Sequence, residues 1–318
     1  MKTGLRTWIL LGLFALLAAV PPLAAALDQP FYLDLLRRVM IFAIAATSLN
    51  LILGYGGMVS FGHAAYLGIG GYAVGILMHH GVDSGWIQWS VAVGASALAA
   101  LAIGAVSVRT SGIYFIMITL AFTQMLYFLG VSLAEYGGDD GMRLRVRSQF
   151  DGLVDLSDPV AFYYVVLALL AGAAYLTRRL VGSRFGMALR AARSNEARTQ
   201  AIGIAPYRYR LAAFTIAGAM CGIAGALLAN QTSFITPEFM NWTRSGELMF
   251  MVILGGIATA AGPLLGAAAL LLEDLLQGWS LLPKTVNDHW QLWLGLILVL
   301  VVLFSRRGLA GLLPGRED

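Results

Sequence analysis

SRFGMALRAARSNEARTQAIGI, residues 183–204, carries Arg184, Arg190, Arg193 and Arg198 between two long apolar runs, 160–181 and 206–230. A segment with so many guanidinium groups does not cross a bilayer, because each central arginine costs about 2.5–3.5 kcal/mol on insertion scales. Its neighbours can cross. Runs of about 18 or more apolar residues span the hydrocarbon core, and such runs recur along the whole chain. The fold follows from this contrast: a basic surface segment is held between membrane-crossing elements.

Composition agrees. Of 318 residues, 59% are hydrophobic and only 12% charged, about half the usual charged share of a soluble domain, and mean hydropathy is +0.77. Backbone inside lipid must satisfy its own hydrogen bonds, which leaves helices or closed barrels. The runs are rich in Ala, Leu and Gly and lack barrel alternation, so they read as helices. The 37 glycines suit close helix–helix contact. The expected fold class is an all-α polytopic membrane protein, one transmembrane unit over 1–318. The lone Cys221 excludes an internal disulfide framework and cysteine metal clusters. It reads as a small buried hydrophobe. The net charge of +4 is a matter of topology rather than nucleic-acid binding.

About ten helices are predicted, at 8–26, 36–54, 58–79, 86–108, 112–134, 160–181, 206–230, 246–259, 262–278 and 290–305, the eighth and ninth being one broken unit in an alternative reading. With a cytoplasmic N-terminus, fourteen of the 21 basic residues fall on the inner side and most acidic residues on the outer. That bias is the one retained during insertion, and it puts both termini in the cytoplasm. Arg37 and Arg38 fit it poorly. The first run is read as a retained helix; a cleaved leader is the alternative. Residues 135–159 form the longest connection, an outer loop facing arriving solute or an extracellular partner.

In 183–204, Ser183 is placed to cap a helix start, Gly203 to end one, and Pro206 to open the next. Phe185, Ala188, Leu189 and Ala192 share one side. Arg190, Arg193 and Glu196 follow at three-residue spacing as a charged strip. The segment is one short helix, or two, on the membrane surface. It can bind anionic lipid heads, set topology as an inert loop, or dock a cytoplasmic protein.

The same segment, continuing into PYRYRLAAFTIAGAMCGIAGALLA, resembles the coupling region of permease subunits of branched-chain amino-acid ABC importers, the LivM-type branch. Glu196, Ala197 and Gly203 match the family's Glu-Ala…Gly motif, with Arg198 where the general motif has a second Ala. Other similar stretches are 47–77, SGIYFIMITLAFTQMLYFL at 111–129, GGDDGM at 137–142 and ILGGIATAAGPLLGA at 253–267. The resemblance implies that Arg190, Arg193, Asn195, Glu196, Ala197 and Gly203 couple to an ATPase subunit. It also implies a second related permease subunit, two ATPase subunits that hydrolyse ATP, an extracytoplasmic solute-binding protein and a bacterial inner-membrane location.

An importer needs polar groups and mobile backbone at membrane depth. NLILGYGGMVSFGHAAYLGIGGY, 50–72, offers Asn50, Ser60 and His63 beside Gly54, Gly56 and Gly57. Thr119 and Gln124 interrupt an otherwise apolar run. Gly255-Gly256 and Gly262-Pro263 break another in the manner of a discontinuous helix, read as an inner gate or a second contact with the ATPase, with a short turn between two helices as the alternative. Glu273 is the deepest carboxylate and reads as a polar wall residue. Each has a packing alternative. NLILGYGG near residue 50 and VILGG near 252 echo each other faintly. No Gly-x-x-x-x-Gly-Lys-[Ser/Thr] loop is present, so ATP hydrolysis falls to a partner. No cofactor or metal site is expected; His79, His80 and Asp83 have unconvincing spacing. The implied function is import of a small polar solute, branched-chain amino acids foremost, with an ion-coupled secondary transporter as the rival.

Overall fold

The computed structural model describes residues 5–26, 30–150, 152, 154–277, 295–296, 299 and 308–312. Its helices are α1 Leu5–Ala26, α2 Pro30–Asn50, α3 His63–His79, α4 Gly85–Ser107, α5 Ile113–Ser132, α6 Pro159–Val181, α7 Arg184–Ser194, α8 Glu196–Ala201, α9 Pro206–Thr232, α10 Trp242–Gly255 and α11 Gly262–Gln277. A π-helical turn, Leu51–Tyr55, extends α2. Among the described residues the one sheet pairs β1 Met142–Arg143 with β2 Phe234–Ile235, antiparallel. The chain is an all-α polytopic membrane protein.

Among the described residues, five helices are long and apolar enough to cross a membrane: Phe31–Tyr55, Gly85–Ser107, Ile113–Ser132, Pro159–Val181 and Pro206–Thr232. The predicted third helix starts at His63 rather than 58, and the eighth ends at Gly255 rather than 259. Both differences replace helix with irregular backbone at a glycine cluster. The resulting α10 has 14 residues, about 21 Å, which is short of the roughly 30 Å hydrocarbon core. The predicted run 290–305 lies outside the described residues apart from Gly295, Leu296 and Val299.

Two of the long spans, Phe31–Tyr55 and Pro206–Thr232, are mostly buried, whereas the other three expose most of their surface. They are the core. α9 packs chiefly on α3 and α4, and the approach is close because small residues face each other. A Cβ on Gly225 would strike the Leu67 carbonyl, and one on Gly70 the Gly222 carbonyl. Ser96 Oγ fits against Gly222 and donates to the Tyr66 carbonyl at 3.3 Å. α2 packs on α6, α9, α10 and α11.

α1 is tied to the bundle by its own defect. Pro21 and Pro22 lie inside it and supply no N–H to the carbonyls four residues back, Leu17 and Ala18. Tyr163 and Tyr164 of α6 donate their hydroxyls to those carbonyls, at 2.8 and 3.1 Å. The helix break becomes an attachment point.

At the end of the bundle bearing β1 and β2, the 135–158 connection is pinned by polar contacts. Ser148 N–H donates to Asn230 Oδ1 at 2.8 Å and Ser148 Oγ to Gln88 Oε1 at 2.5 Å. Here Arg37 is accounted for. It is buried, paired with Asp34, and stacked on the Phe162 ring at 5.2 Å, with Arg147 at 5.3 Å from the same ring. Partial burial, together with the neighbouring Arg37, holds the Arg147 guanidinium below its usual range. A three-residue pairing with Asp34 thus retains a cation where the charge bias alone disfavours one.

Candidate functional site: two helix breaks joined to a surface hairpin

At the opposite end, two interruptions of membrane helices meet. The first follows α2. Its π-turn ends where Gly57 adopts φ +68°, and residues 58–62 run without helix to His63. Non-helical backbone at membrane depth persists only where protein satisfies it. Here side chains do so. Phe61 N–H donates to Thr119 Oγ1 at 3.2 Å, and Thr123 Oγ1 donates to the Phe61 carbonyl at 3.1 Å. Gly62 N–H donates to Ser60 Oγ at 3.0 Å, and Ala64 N–H to Ser245 Oγ of α10 at 2.9 Å.

The second interruption, 256–261, joins α10 to α11. It is a reversal rather than a kink in one rod. A Cβ on Gly255 would strike the Gly262 carbonyl and one on Gly266 the Met251 carbonyl, an antiparallel register. Thr259 stabilises the turn. Its Oγ1 donates to the Gly256 carbonyl at 2.7 Å and accepts from Gly262 N–H at 3.0 Å.

Asn50 bolts the two breaks together. Its Nδ2 donates to the Thr259 carbonyl and its Oδ1 accepts from Ala258 N–H, both at 2.9 Å. Ala258 sits at φ +60°, a conformation costly for an L-residue. The buried Asn50 side chain pairs with the Ala258 N–H and the Thr259 carbonyl, so its amide oxygen and nitrogen each have a partner, as buried polar groups require. The echoing stretches near 50 and 252 are therefore spatial neighbours.

The surface segment reaches this junction through Arg193. Its Nη1 donates to the Gly54 carbonyl, and its aliphatic stem lies over Gly57, where a Cβ would meet Arg193 Cγ at 2.8 Å. The segment is two helices. Asn195 is extended at φ −158° and ψ 107°, and its Oδ1 caps α8 by accepting from Arg198 N–H at 2.9 Å. Ser183 holds the N-cap position of α7, but its hydroxyl donates backwards to the Leu180 carbonyl at 2.7 Å. Gly203 closes α8 at φ +84° with open space around it, and Pro206 opens α9. Ala188, Leu189 and Ala192 are buried, as their spacing predicts.

The break at Asn195 divides the predicted charged strip. Arg190 and Arg193 belong to α7, whereas Glu196 begins α8 and pairs with Arg210 of α9 at 2.7 Å. Arg210 Nη2 also donates to the Ala192 carbonyl at 3.0 Å, so one guanidinium clamps the end of α7 to the start of α8. Ala197 and Arg198 are exposed beside it. A cavity of about 130 Å³ lies between Gly56–Val59, Thr110–Gly112, Phe115, Ile116, Arg193 and Arg210.

Of the predicted path residues, Asn50, Gly255, Gly256 and Gly262 gather at the second break, Ser60 and Thr119 at the first, and Pro263 follows Gly262 in the first turn of α11. His63 is buried nearby, its ring edge-on to Tyr66 at 5.7 Å and both ring nitrogens without a partner among the described residues. Gln124 is half-buried and joins none of these bonds; Thr123, one residue earlier, does. Glu273 falls in α11, and its side chain lies outside the described residues. Sequence reasoning missed Thr123, Ser245 and Arg210. Thr123 was legible as Thr119 plus four, the same helical face; Arg210 and Ser245 carried no local signal.

Residues 31–304 match the family described as the permease component of branched-chain amino acid transport systems. The chain is 28% identical to the high-affinity branched-chain amino acid permease protein LivM of Salmonella typhimurium, over 87% of this chain and 69% of that protein. It is 30% identical to the autoinducer 2 import permease protein LsrC of Enterobacter sp., over 96% and 89%. It is 26% identical to the branched-chain permease protein LivH of Escherichia coli, over 85% and 91%. No solved structure matches.

Proposed function

The chain belongs to the family of branched-chain amino acid transport system permease components, and from that premise we propose that it is the membrane-spanning subunit of an ATP-driven importer. It works with a second related permease subunit, two ATPase subunits and an extracytoplasmic binding protein, in a bacterial inner membrane with both termini in the cytoplasm. Its solute is small and polar. The family description and the LivM and LivH likenesses favour a branched-chain amino acid; the LsrC likeness keeps autoinducer 2 as the second choice.

One observation carries the reading: an unbroken run of contacts from α7 through Arg193 to Gly54, and through Asn50 to Ala258 and Thr259. In this reading the ATPase grips α7 and α8 on their exposed side, where Glu196, Ala197 and Arg198 lie. The Arg210 clamp keeps the two helices in step, so a push on one moves both. Arg193 then displaces the π-turn, whose i→i+5 bonding is less regular than that of an α-helix. Asn50 passes the displacement to the α10–α11 turn, and the two breaks act as one inner gate. Packed helices transmit such shifts because cores rearrange between discrete arrangements rather than deform. Glu196 serves twice, holding Arg210 and presenting its half-exposed carboxylate to the partner.

The test is solute-stimulated ATPase activity and uptake by the reconstituted complex in proteoliposomes. Leucine-stimulated uptake that needs both the ATPases and ATP supports the reading. Uptake by the chain alone, abolished by a protonophore, would replace it with an ion-coupled carrier.

A further inference from the structure

α10 begins part-way across the membrane. Beyond β2 the chain runs down the length of α3: a Cβ on Gly75 would meet Ile235, one on Gly68 would strike Met240, and Ala64 N–H donates to Ser245 Oγ at 2.9 Å. At the helical rise per residue, Ala64 lies about 22 Å below His79 at the far end of α3. From Ser245, α10 continues for about 15 Å to Gly255 and the turn held by Asn50. Phe61, bonded to Thr119 and Thr123 in the middle of α5, gives the same depth. A hydrocarbon core is roughly 30 Å thick, so the first turns of α10 lie inside it.

Those turns hold an ion pair. Arg244 Nη1 donates to Glu247 Oε2 at 2.8 Å, and the two side chains are 32% and 36% exposed. Charges at membrane depth face the bundle interior or a water-filled cavity and mark solute pathways, because lipid does not solvate them. Apolar rings flank the pair. Trp242 and Phe250 are exposed on α10, and the Trp242 ring lies 6.3 Å from that of Phe61, whose Cε1 would be 3.9 Å from a Cβ on Gly246.

One guanidinium and one carboxylate, together neutral and set beside exposed rings, complement a zwitterion with an apolar side chain. We propose that Arg244 and Glu247 bind an α-amino acid within the membrane. The Arg244 guanidinium donates to the solute carboxylate, Glu247 accepts from its ammonium, and the solute side chain lies against Trp242 and Phe250. The bond between Arg244 and Glu247 opens, and two charge-assisted bonds of the same kind replace it. A neutral polyol would part the pair and replace neither partner. The inference rests on the importer reading, since it takes the open face of α10 as the solute path. α10 then joins the site to the gate, because its other end is the break that Asn50 holds.

The purified full-length chain in nanodiscs, titrated with radiolabelled L-leucine and read by scintillation proximity, tests this. Two competitors dissect the contacts: L-leucinol lacks the carboxylate and 4-methylpentanoate lacks the ammonium. Leucine is expected to bind, and each competitor to be about tenfold weaker than unlabelled leucine, one charge-assisted bond's share. R244Q and E247Q are each expected to weaken leucine about tenfold. R244Q should also close the gap between leucine and leucinol, and E247Q that between leucine and 4-methylpentanoate, a crossed pattern that misfolding does not produce. No leucine binding to the wild type, competition by either analogue equal to leucine's, or unchanged leucine binding in both variants overturns the proposal. The analogue comparison uses the wild type alone, so it decides even where a variant fails to fold. The importer reading has its own readout, the ATP dependence of uptake by the complex, and an ATP-driven complex whose permease chain does not bind leucine would lose this site and keep that reading.

Discussion

Arg193, Asn50 and the Arg210–Glu196 pair are the residues on which the proposed coupling turns, and each fails in its own way. Arg193→Ala removes a charged hydrogen bond to Gly54, the kind that contributes about 1.5–3 kcal/mol. Uptake is expected to fall about tenfold to a hundredfold while ATP hydrolysis by the complex continues, and parallel uptake and ATPase assays read this uncoupling. Asn50→Ala leaves the buried Thr259 carbonyl and the part-buried Ala258 N–H without their partner, at about 1–3 kcal/mol for the buried group. A lowered melting temperature of the detergent-solubilised chain is the expected sign. The half-exposed Glu196–Arg210 pair is worth only about 0.2–1 kcal/mol to stability, so Glu196→Arg should insert normally. If the pair matters for coupling, E196R should lose transport and E196R/R210E should recover part of it. A double variant no better than E196R alone would leave Glu196 acting on the partner and not on Arg210.

At the scale of elements, helix ends and close approaches dominate. Gly203 holds a left-handed conformation with space around it, so Gly203→Val costs backbone strain of about 1–2 kcal/mol rather than a clash. It is expected to fray α8 and lower ATPase co-purification with little change in the amount inserted. Gly225→Val instead drives a side chain into the Leu67 carbonyl. That forces α9 off α3 and should abolish accumulation of folded protein, read by gel filtration. Tyr163→Phe with Tyr164→Phe frees the Leu17 and Ala18 carbonyls in lipid. Increased proteolysis or cross-linking loss between α1 and α6 is the expected outcome, and unchanged α1–α6 cross-linking would show that packing alone holds α1. Much at this scale could be read from the chain. The Gly-Gly and Gly-Pro clusters marked both breaks and Pro206 the start of α9, whereas the spacing leaves the division of 183–204 at Asn195 open between one helix and two. The two helices either side of 256–261 read as separate, but the glycines alone leave a broken single unit open, because a kink and a hairpin share them and differ only in which neighbour α11 packs against.

For the whole molecule, the charge bias predicts that α7 and α8 face the cytoplasm. A cysteine placed at Arg198 in a Cys221→Ser background should react with a membrane-impermeant maleimide only in inverted vesicles, and reaction in intact spheroplasts would reverse the topology. The amino-acid order by itself determined that the chain crosses a membrane repeatedly as helices and where the helices are interrupted, and it predicts that 183–204 stays at the surface. These follow from solvation and backbone geometry, which act on each segment alone. Only the tertiary structure decided that the two interruptions share Asn50, that Arg193 reaches Gly54, and that Arg210 rather than an unassigned neighbour holds Glu196. Those contacts join residues 14 to 209 positions apart, and sequence separation carries no signal for such pairs until the packing of α2, α9 and α10 has placed them within hydrogen-bonding reach.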